Sequence, residues 1–298
     1  MPFQIIIADE SSKIANPRTK TYRALRQLRA ERRIAMNGTP VINRPNDLWA
    51  QINFCCPGVL GSYQSFIDRY SIKNYWGGIF SYQRLDEFRD RIKPYLIRKT
   101  VEEVLPQLPK KIVSEVPFEL SAPERELYDK IKKELLFEIE QYDISKIENP
   151  VTLQLTIVKM LRLSQLTDSM ELIGGNKIST KIEVLKELLT KLVSTGKVII
   201  YTRFEKFSKI LERELSGYHP LLITGAVTNR QEVIEKFNSD NEHKVCIFTD
   251  AGAYGINLQY QCSSIVFMDT PFSMGKSAQA IGRIHRIGQE KPVLVYYL

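Results

Sequence analysis

The stretch KVIIYTRFEKFSKILERELSGYHPLLIT, Lys197–Thr224, decides how the second half of the chain is read. It opens on KVIIYT, a short apolar run rich in β-branched residues, which suits a strand covered on both faces. FEKFSKILERELSG follows as a helix, and PLLIT opens a second strand. The alternation extends in both directions. Helix TKIEVLKELLTKLVST precedes it. Helix RQEVIEKFNS, strand KVCIFT, a Gly-rich loop, strand SSIVFMD, helix KSAQAIGRIHRIG and strand PVLVYYL follow it. This pattern predicts an α/β fold with an open, doubly wound parallel sheet. Ligands of such sheets bind outside the carboxyl ends of the strands.

The first half is less regular. FQIIIA (Phe3–Ala8) reads as a buried strand. Asn16 is placed to cap a helix with Pro17 in its first turn, running to about Arg33. Strand RIAM and helix NDLWAQINFCCPG come next, the helix stopped by Pro57-Gly58. Gly- and aromatic-rich loops extend to about Gly78, and Leu85–Lys93 reads as a helix. The prolines and lysines of YLIRKTVEEVLPQLPKK mark a connector, with a boundary between Lys110 and Ser121. Ala122–Gln141 and Pro150–Leu166 read as helices. The expected organisation is a first domain at 1–115, a helical connector at 116–178 and a second domain at 179–298.

Composition sets outer limits. The chain has 298 residues, 43% hydrophobic and 26% charged, a globular composition with length for about two domains. No window approaches the roughly 18 apolar residues of a membrane span. MPFQIIIADE lacks the basic region and cleavage site of a signal peptide. Four cysteines without a C-x-x-C, and only three histidines, argue against a zinc site and for a reduced, intracellular protein. A net charge of +8 permits a polyanionic partner. Much of that excess lies in Pro17–Arg33, where cations spread around a single long helix read as a solvated face.

Polar residues collect where the strands end. Asp9-Glu10 follows FQIIIA, Gly38-Thr39-Pro40 follows RIAM, Thr202-Arg203 follows KVIIY, Thr249–Gly252 follows KVCIF and Asp269-Thr270-Pro271 follows SSIVFM. An acidic pair at a strand end suits a hydrated Mg²⁺ held by Asp9, with Glu10 orienting or deprotonating water. It equally suits a carboxylate satisfying helix N–H groups. Arg283 and Arg286, three apart on a helix, share a face. They form either a solvated basic face or an anion clamp for a transferring phosphoryl group. Gly252 and Gly255 in TDAGAYGINL either serve a turn or let the backbone approach a phosphate.

Taken together, these segments resemble the Swi/Snf-related ATPases of helicase superfamily two. IIIADESSKIANP looks like motif II, RRIAMNGTPVINRPNDLW like motif III, KVIIYTRF like motif IV, TDAGAYGINLQ like motif V and QAIGRIHRIGQ like motif VI. YLIRKTVEEVLPQLPKK and KMLRLSQLT look like intervening family segments. The resemblance runs in order over nearly the whole chain. It implies two RecA-like lobes binding ATP and Mg²⁺ in the cleft between them. It also implies translocation along double-stranded DNA without base specificity. By motif match, Asp9 and Glu10 serve Mg²⁺ and water, Arg283 and Arg286 are arginine fingers, and Gly255 and Gln279 lie near the nucleotide. Gly38, Thr39, Arg203, Thr249, Ala251 and Gly252 face the cleft or the DNA backbone.

Departures from the family pattern set further expectations. No G-x-G-K-[ST] occurs, Asn37 stands where threonine is usual, and only eight residues precede Asp9. The expectation is a first lobe incomplete at its N-terminus and a chain that hydrolyses no ATP alone. The alternative is a hydrolysis-deficient module that binds nucleic acid or a protein partner. H-R-I-G-Q argues against an RNA helicase.

Overall fold

The structure, a computed structural model, describes residues 3–38, 44–75, 77–141, 150–250, 257–271 and 274–298. The chain divides into two units, Met1–Pro106 and Gln107–Leu298.

In the first unit, β1 (Phe3–Ala8) leads through a 3-10 turn to α1 (Lys20–Gln27), β2 (Ala30–Ala35), α2 (Asp47–Cys55) and α3 (Tyr63–Tyr70). The hairpin β3 (Ser71–Lys73) and β4 (Ile79–Tyr82), then α4 (Leu85–Ile92) and the short α5 (Val101–Val104), complete it. β1 and β2 pair in parallel, with Ile5 opposite Arg32 and Ile7 opposite Ile34. Alternation along the pair sends Ile6, Ala8 and Ala35 into a core with Tyr22, Trp49, Phe54, Phe66, Tyr70 and Phe88.

The helix expected to reach Arg33 stops at Gln27. Asn16 makes a turn instead, its Oδ1 accepting the Arg18 N–H at 2.9 Å. The cap is Thr19, whose hydroxyl accepts the Tyr22 N–H. Residues 30–35 are drawn out of the helix because β1 needs a parallel partner along its whole length. The ladder begins where the Phe3 N–H donates to the Arg29 carbonyl at 2.8 Å. α3, expected as loop, is capped by Ser62 and buries Phe66, Ile67 and Tyr70.

The opposite face of the β1–β2 pair is open. Phe3, Ile5 and Ile7 are 55%, 50% and 56% exposed, and Ile34 is 44% exposed. Each large apolar side chain in water forgoes part of the roughly 1.5–3 kcal/mol that full burial supplies. Unit one is therefore the less stable part, and limited proteolysis should cut it first, leaving a resistant core within residues 179–298. Prior loss of the C-terminal half would contradict this.

The second unit begins with β5 (Lys111–Glu115), a strand a few residues beyond the connector's prolines. Next come α6 (Ala122–Gln141), α7 (Pro150–Asp168), α8 (Thr180–Thr195), β6 (Lys197–Tyr201), α9 (Glu205–Glu214), β7 (Leu221–Ile223), α10 (Arg230–Ser239), β8 (Val245–Phe248), β9 (Cys262–Phe267), α11 (Met274–Ile281) and β10 (Val293–Tyr297). Its six strands lie in the order β5-β10-β9-β6-β8-β7, and every pairing is parallel. β6, at the centre, is buried along its whole length. Ile199 and Tyr201 enter a core with Phe237, Phe248 and Phe267, while Val198 and Ile200 enter another with Leu185, Leu189 and Phe207. Two apolar faces explain why the strands read as continuous runs.

α6 joins this unit through one carboxylate. Glu124, fully buried, accepts from the Ser121 N–H and hydroxyl and from the Thr180 N–H at 3.0 Å. It thereby caps α6 and α8 together. No helix among the described residues is long and apolar enough to cross a membrane.

Candidate functional site

In unit one the acidic pair and the segment after β2 come together. The Met36 N–H donates to the Ala8 carbonyl and the Ser11 N–H to the Met36 carbonyl, which sets Asp9-Glu10 beside Asn37-Gly38. Asp9 is exposed, and its Oδ1 accepts the Glu10 N–H at 2.8 Å. Glu10 has φ 49°, a left-handed conformation that costs a non-glycine residue energy. Its neighbours hold it there: the Ser11 hydroxyl, buried, donates to Gln51 Oε1 at 2.7 Å. Among the described residues Arg84 and His219 share this conformation, and the sequence carries no sign of it at any of the three. Thr39 lies outside the described residues.

In unit two, three strand ends form one polar floor. Asp269 accepts the Thr202 hydroxyl at 2.7 Å, the Arg203 N–H at 3.0 Å and Arg203 Nε at 2.5 Å. The far end of the same guanidinium donates to the Ser164 hydroxyl on α7 at 2.7 Å. Arg203 is thus largely buried, tying β6, β9 and α7 together. Beside it the Tyr201 hydroxyl donates to Asp250 Oδ1 at 2.5 Å, and Lys276 on α11 pairs with the same carboxylate. Burial and that acceptor push the Tyr201 phenol well above its usual range. Thr249 is buried, its N–H donating to the Ile223 carbonyl. Ala251, Gly252 and Gly255 lie outside the described residues.

Beneath this floor lies a buried ion pair. Lys181, at the start of α8, donates to Asp168 Oδ1 at 2.9 Å and to the Met268 carbonyl at 2.6 Å. Burial pushes the Asp168 carboxyl up to about 7, with the Lys181 ammonium the main opposing influence. Such a carboxyl holds its proton when folded at pH values where the unfolded chain has released it. Its contribution to stability is complete below the unfolded value of about 4 and fades as pH rises through about 7. Wild type should lose stability relative to Asp168→Asn between pH 4 and 7, measured by denaturant unfolding. A difference that is flat or grows with pH would contradict this.

The expected helix carrying Arg283 and Arg286 ends at Ile281, so the two arginines occupy a run of turns and do not share a helix face. Tight packing explains the end. A side chain at Gly282 would come within 3.1 Å of the Ala278 carbonyl, and Gly288 has φ 95°. The turns dock on the segment after the glycine loop. The Leu258 N–H donates to the Arg283 carbonyl at 3.1 Å, and the Arg286 guanidinium donates to Asn257 Oδ1. Arg283 and Gln279, the latter on α11, are both half-buried.

Gln289 locks this arrangement. Buried, its amide nitrogen donates to the Cys262 carbonyl at 2.8 Å and to the Gln259 and Ile284 carbonyls at 3.1 Å. The glutamine of H-R-I-G-Q is therefore a brace between the two segments. Asn257, Lys181 and Asp168 likewise gain roles that no local spacing announces.

Each unit thus carries a parallel sheet with polar residues at its strand ends, an acidic pair in one and docked arginines in the other. Comparison with known proteins gives the family. The SNF2-related domain matches residues 2–170 and the helicase conserved C-terminal domain residues 180–288, and the chain belongs to this SNF2-related family. The uncharacterized ATP-dependent helicase MG018 of Mycoplasma genitalium is 31% identical over 99% of this chain and 28% of its own length. The human SWI/SNF-related matrix-associated actin-dependent regulator of chromatin subfamily A member 1 is 31% identical over 99% of this chain and 29% of its own length. The SWI2/SNF2 ATPase core of Sulfolobus solfataricus in complex with dsDNA shares 28% identity and a TM-score of 0.52. That match covers all of this chain and 64% of that one. The fold is accordingly α/β with RecA-like lobes, and the chain spans less than a third of the length of these curated relatives.

Proposed function

We propose that this chain is part of an ATP-dependent translocase that moves along double-stranded DNA without reading bases. One observation carries the reading: Asp9-Glu10 in one unit and Arg203 and Thr249 in the other follow the carboxyl ends of parallel strands, where such sheets hold their ligands, while Arg283 and Arg286 lie in the turns that lead into β10. The family match and the DNA-bound structural relative support it.

The two units supply different chemistry. Asp9 has an exposed carboxylate with one oxygen engaged by a backbone N–H. A single carboxylate of this kind fits Mg²⁺, which is usually held by one or two carboxylates plus water and substrate phosphates. Among the described residues no cluster of three ligating side chains offers a fuller site. When bound, the ion neutralises charge on the nucleotide phosphates. Glu10 orients and deprotonates the attacking water. Arg283 and Arg286 stabilise charge that develops on the transferring phosphoryl group. Gln279 and Gly255 contact the nucleotide, and Gly38, Thr39, Ala251 and Gly252 present hydroxyls and backbone amides to the DNA backbone, whereas Thr249, buried with its N–H on the Ile223 carbonyl, only supports the strand end. Contacts of that kind carry no base sequence. Arg203 acts by holding Asp269 and α7 in place, which makes the connector helices part of the second lobe.

The 298 residues contain no G-x-G-K-[ST] loop to grip phosphates. They therefore hydrolyse ATP only alongside a segment that supplies one, and work on DNA places the protein inside the cell. Residues 1–298 alone should release no phosphate from ATP yet bind duplex DNA. Turnover by this chain alone would overturn the first statement, and failure to bind DNA the second.

A further inference from the structure

Six of the chain's eight net positive charges lie between Pro17 and Met36, seven cations against the single acid Glu31. The fold sorts them. Arg33 turns inward, donating to the Leu28 and Phe54 carbonyls. Arg32 lies on the open face of the β1–β2 pair, in register with Ile5. The remaining five follow α1. Lys20, Arg23 and Arg26 stand at i, i+3 and i+6, a row of neighbouring positions that winds along the helix, its last member one turn beyond buried Tyr22. Arg18 and Arg29 flank the helix at its two ends, and all five are exposed.

Several exposed cations elsewhere have acidic partners: Arg69 with Glu87, Lys73 with Asp68, Arg213 with Glu171 and Lys236 with Glu232. Among the described residues none of these five is in an ion pair. An uncompensated row of like charges repels itself unless an anion of matching extent lies along it. Four of the five are arginines, whose planar donors match phosphate oxygens. A basic stripe along a helix in a chain of pI 9.2 is the electrostatic footprint of a nucleic-acid contact.

We propose that the outer face of α1 is a docking surface for the phosphate backbone of duplex DNA, separate from the strand-end residues assigned above. It rests on the reading that this protein works on DNA. Its role is to hold the duplex by charge alone, with no base preference.

The test is equilibrium binding of a fluorescent DNA duplex by the whole chain, without nucleotide, across a salt series. Four proteins are compared: wild type, Lys20→Glu/Arg23→Glu/Arg26→Glu, its glutamine counterpart, and a charge-matched control, Lys130→Glu/Lys132→Glu/Lys133→Glu, on exposed positions of α6. Each phosphate contact contributes about 0.9 to the slope of log affinity against log salt. The α1 variant should lose about 2.7 from that slope, while the control stays near wild type. A glutamine version of the α1 variant, which removes charge without reversing it, should lose the same amount. Equal slopes for the α1 variant and the control would overturn the proposal. So would loss of binding to an acidic polypeptide with DNA affinity unchanged. A wild type that binds no DNA would defeat the proposed function as well, which separates the two failures.

Discussion

Replacing Arg286 with alanine in the ATP-hydrolysing protein lowers turnover about 10³-fold or more, the range expected for a lost arginine finger, while duplex binding changes little. The asymmetry follows from where the residue acts. A guanidinium that meets charge only as the phosphoryl group transfers contributes to kcat and not to ground-state association. In this structure Arg286 is held by Asn257, directly after the glycine loop. Asn257→Ala should therefore act in the same direction with a smaller effect, because the arginine remains but loses its support. Steady-state kinetics with and without DNA distinguish the outcomes. Unchanged turnover in Arg286→Ala would remove this residue from the chemistry, and an equal loss of DNA affinity would make it a binding residue.

The second large effect is on stability. Asp168→Ala leaves the Lys181 ammonium buried with only the Met268 carbonyl beside it. Breaking a buried pair on one side typically costs about 3–5 kcal/mol. Removing the other charge as well should recover much of that, since Lys181→Met keeps most of the lysine's volume without its desolvation penalty and only the smaller alanine leaves space. Unfolding at pH 8 should rank wild type first, Asp168→Ala/Lys181→Met close behind and Asp168→Ala last. A double variant no better than the single would mean that the loss comes from packing and not from a stranded charge.

Sequence pattern carried much of this fold, but unevenly. α6 and α8 were legible to the residue because long periodic helices with capping serines announce themselves. The doubly wound sheet was legible because strands buried on both faces lack alternation. β5 was not, since Lys111–Glu115 becomes a strand only by pairing with β10, over 170 residues later. α1 was overextended for the same reason: the demand of β1 for a partner outweighs the helix propensity of residues 30–33. For the site, sequence order alone located the strand ends. It could not show that Asp269 engages Arg203 across 66 positions, or that Gln289 braces the arginine turns. Those facts depend on which loops the sheet brings together, and local spacing has no record of it.

The central claim is that Asp9-Glu10 and the arginine turns serve a DNA-dependent ATPase. DNA-stimulated phosphate release by the protein purified from its source, compared with a Glu10→Gln variant, tests it most directly. The account predicts turnover that rises on adding duplex DNA and falls by orders of magnitude in the variant, with DNA binding retained. Equal turnover by the two proteins, or turnover indifferent to DNA, would contradict it.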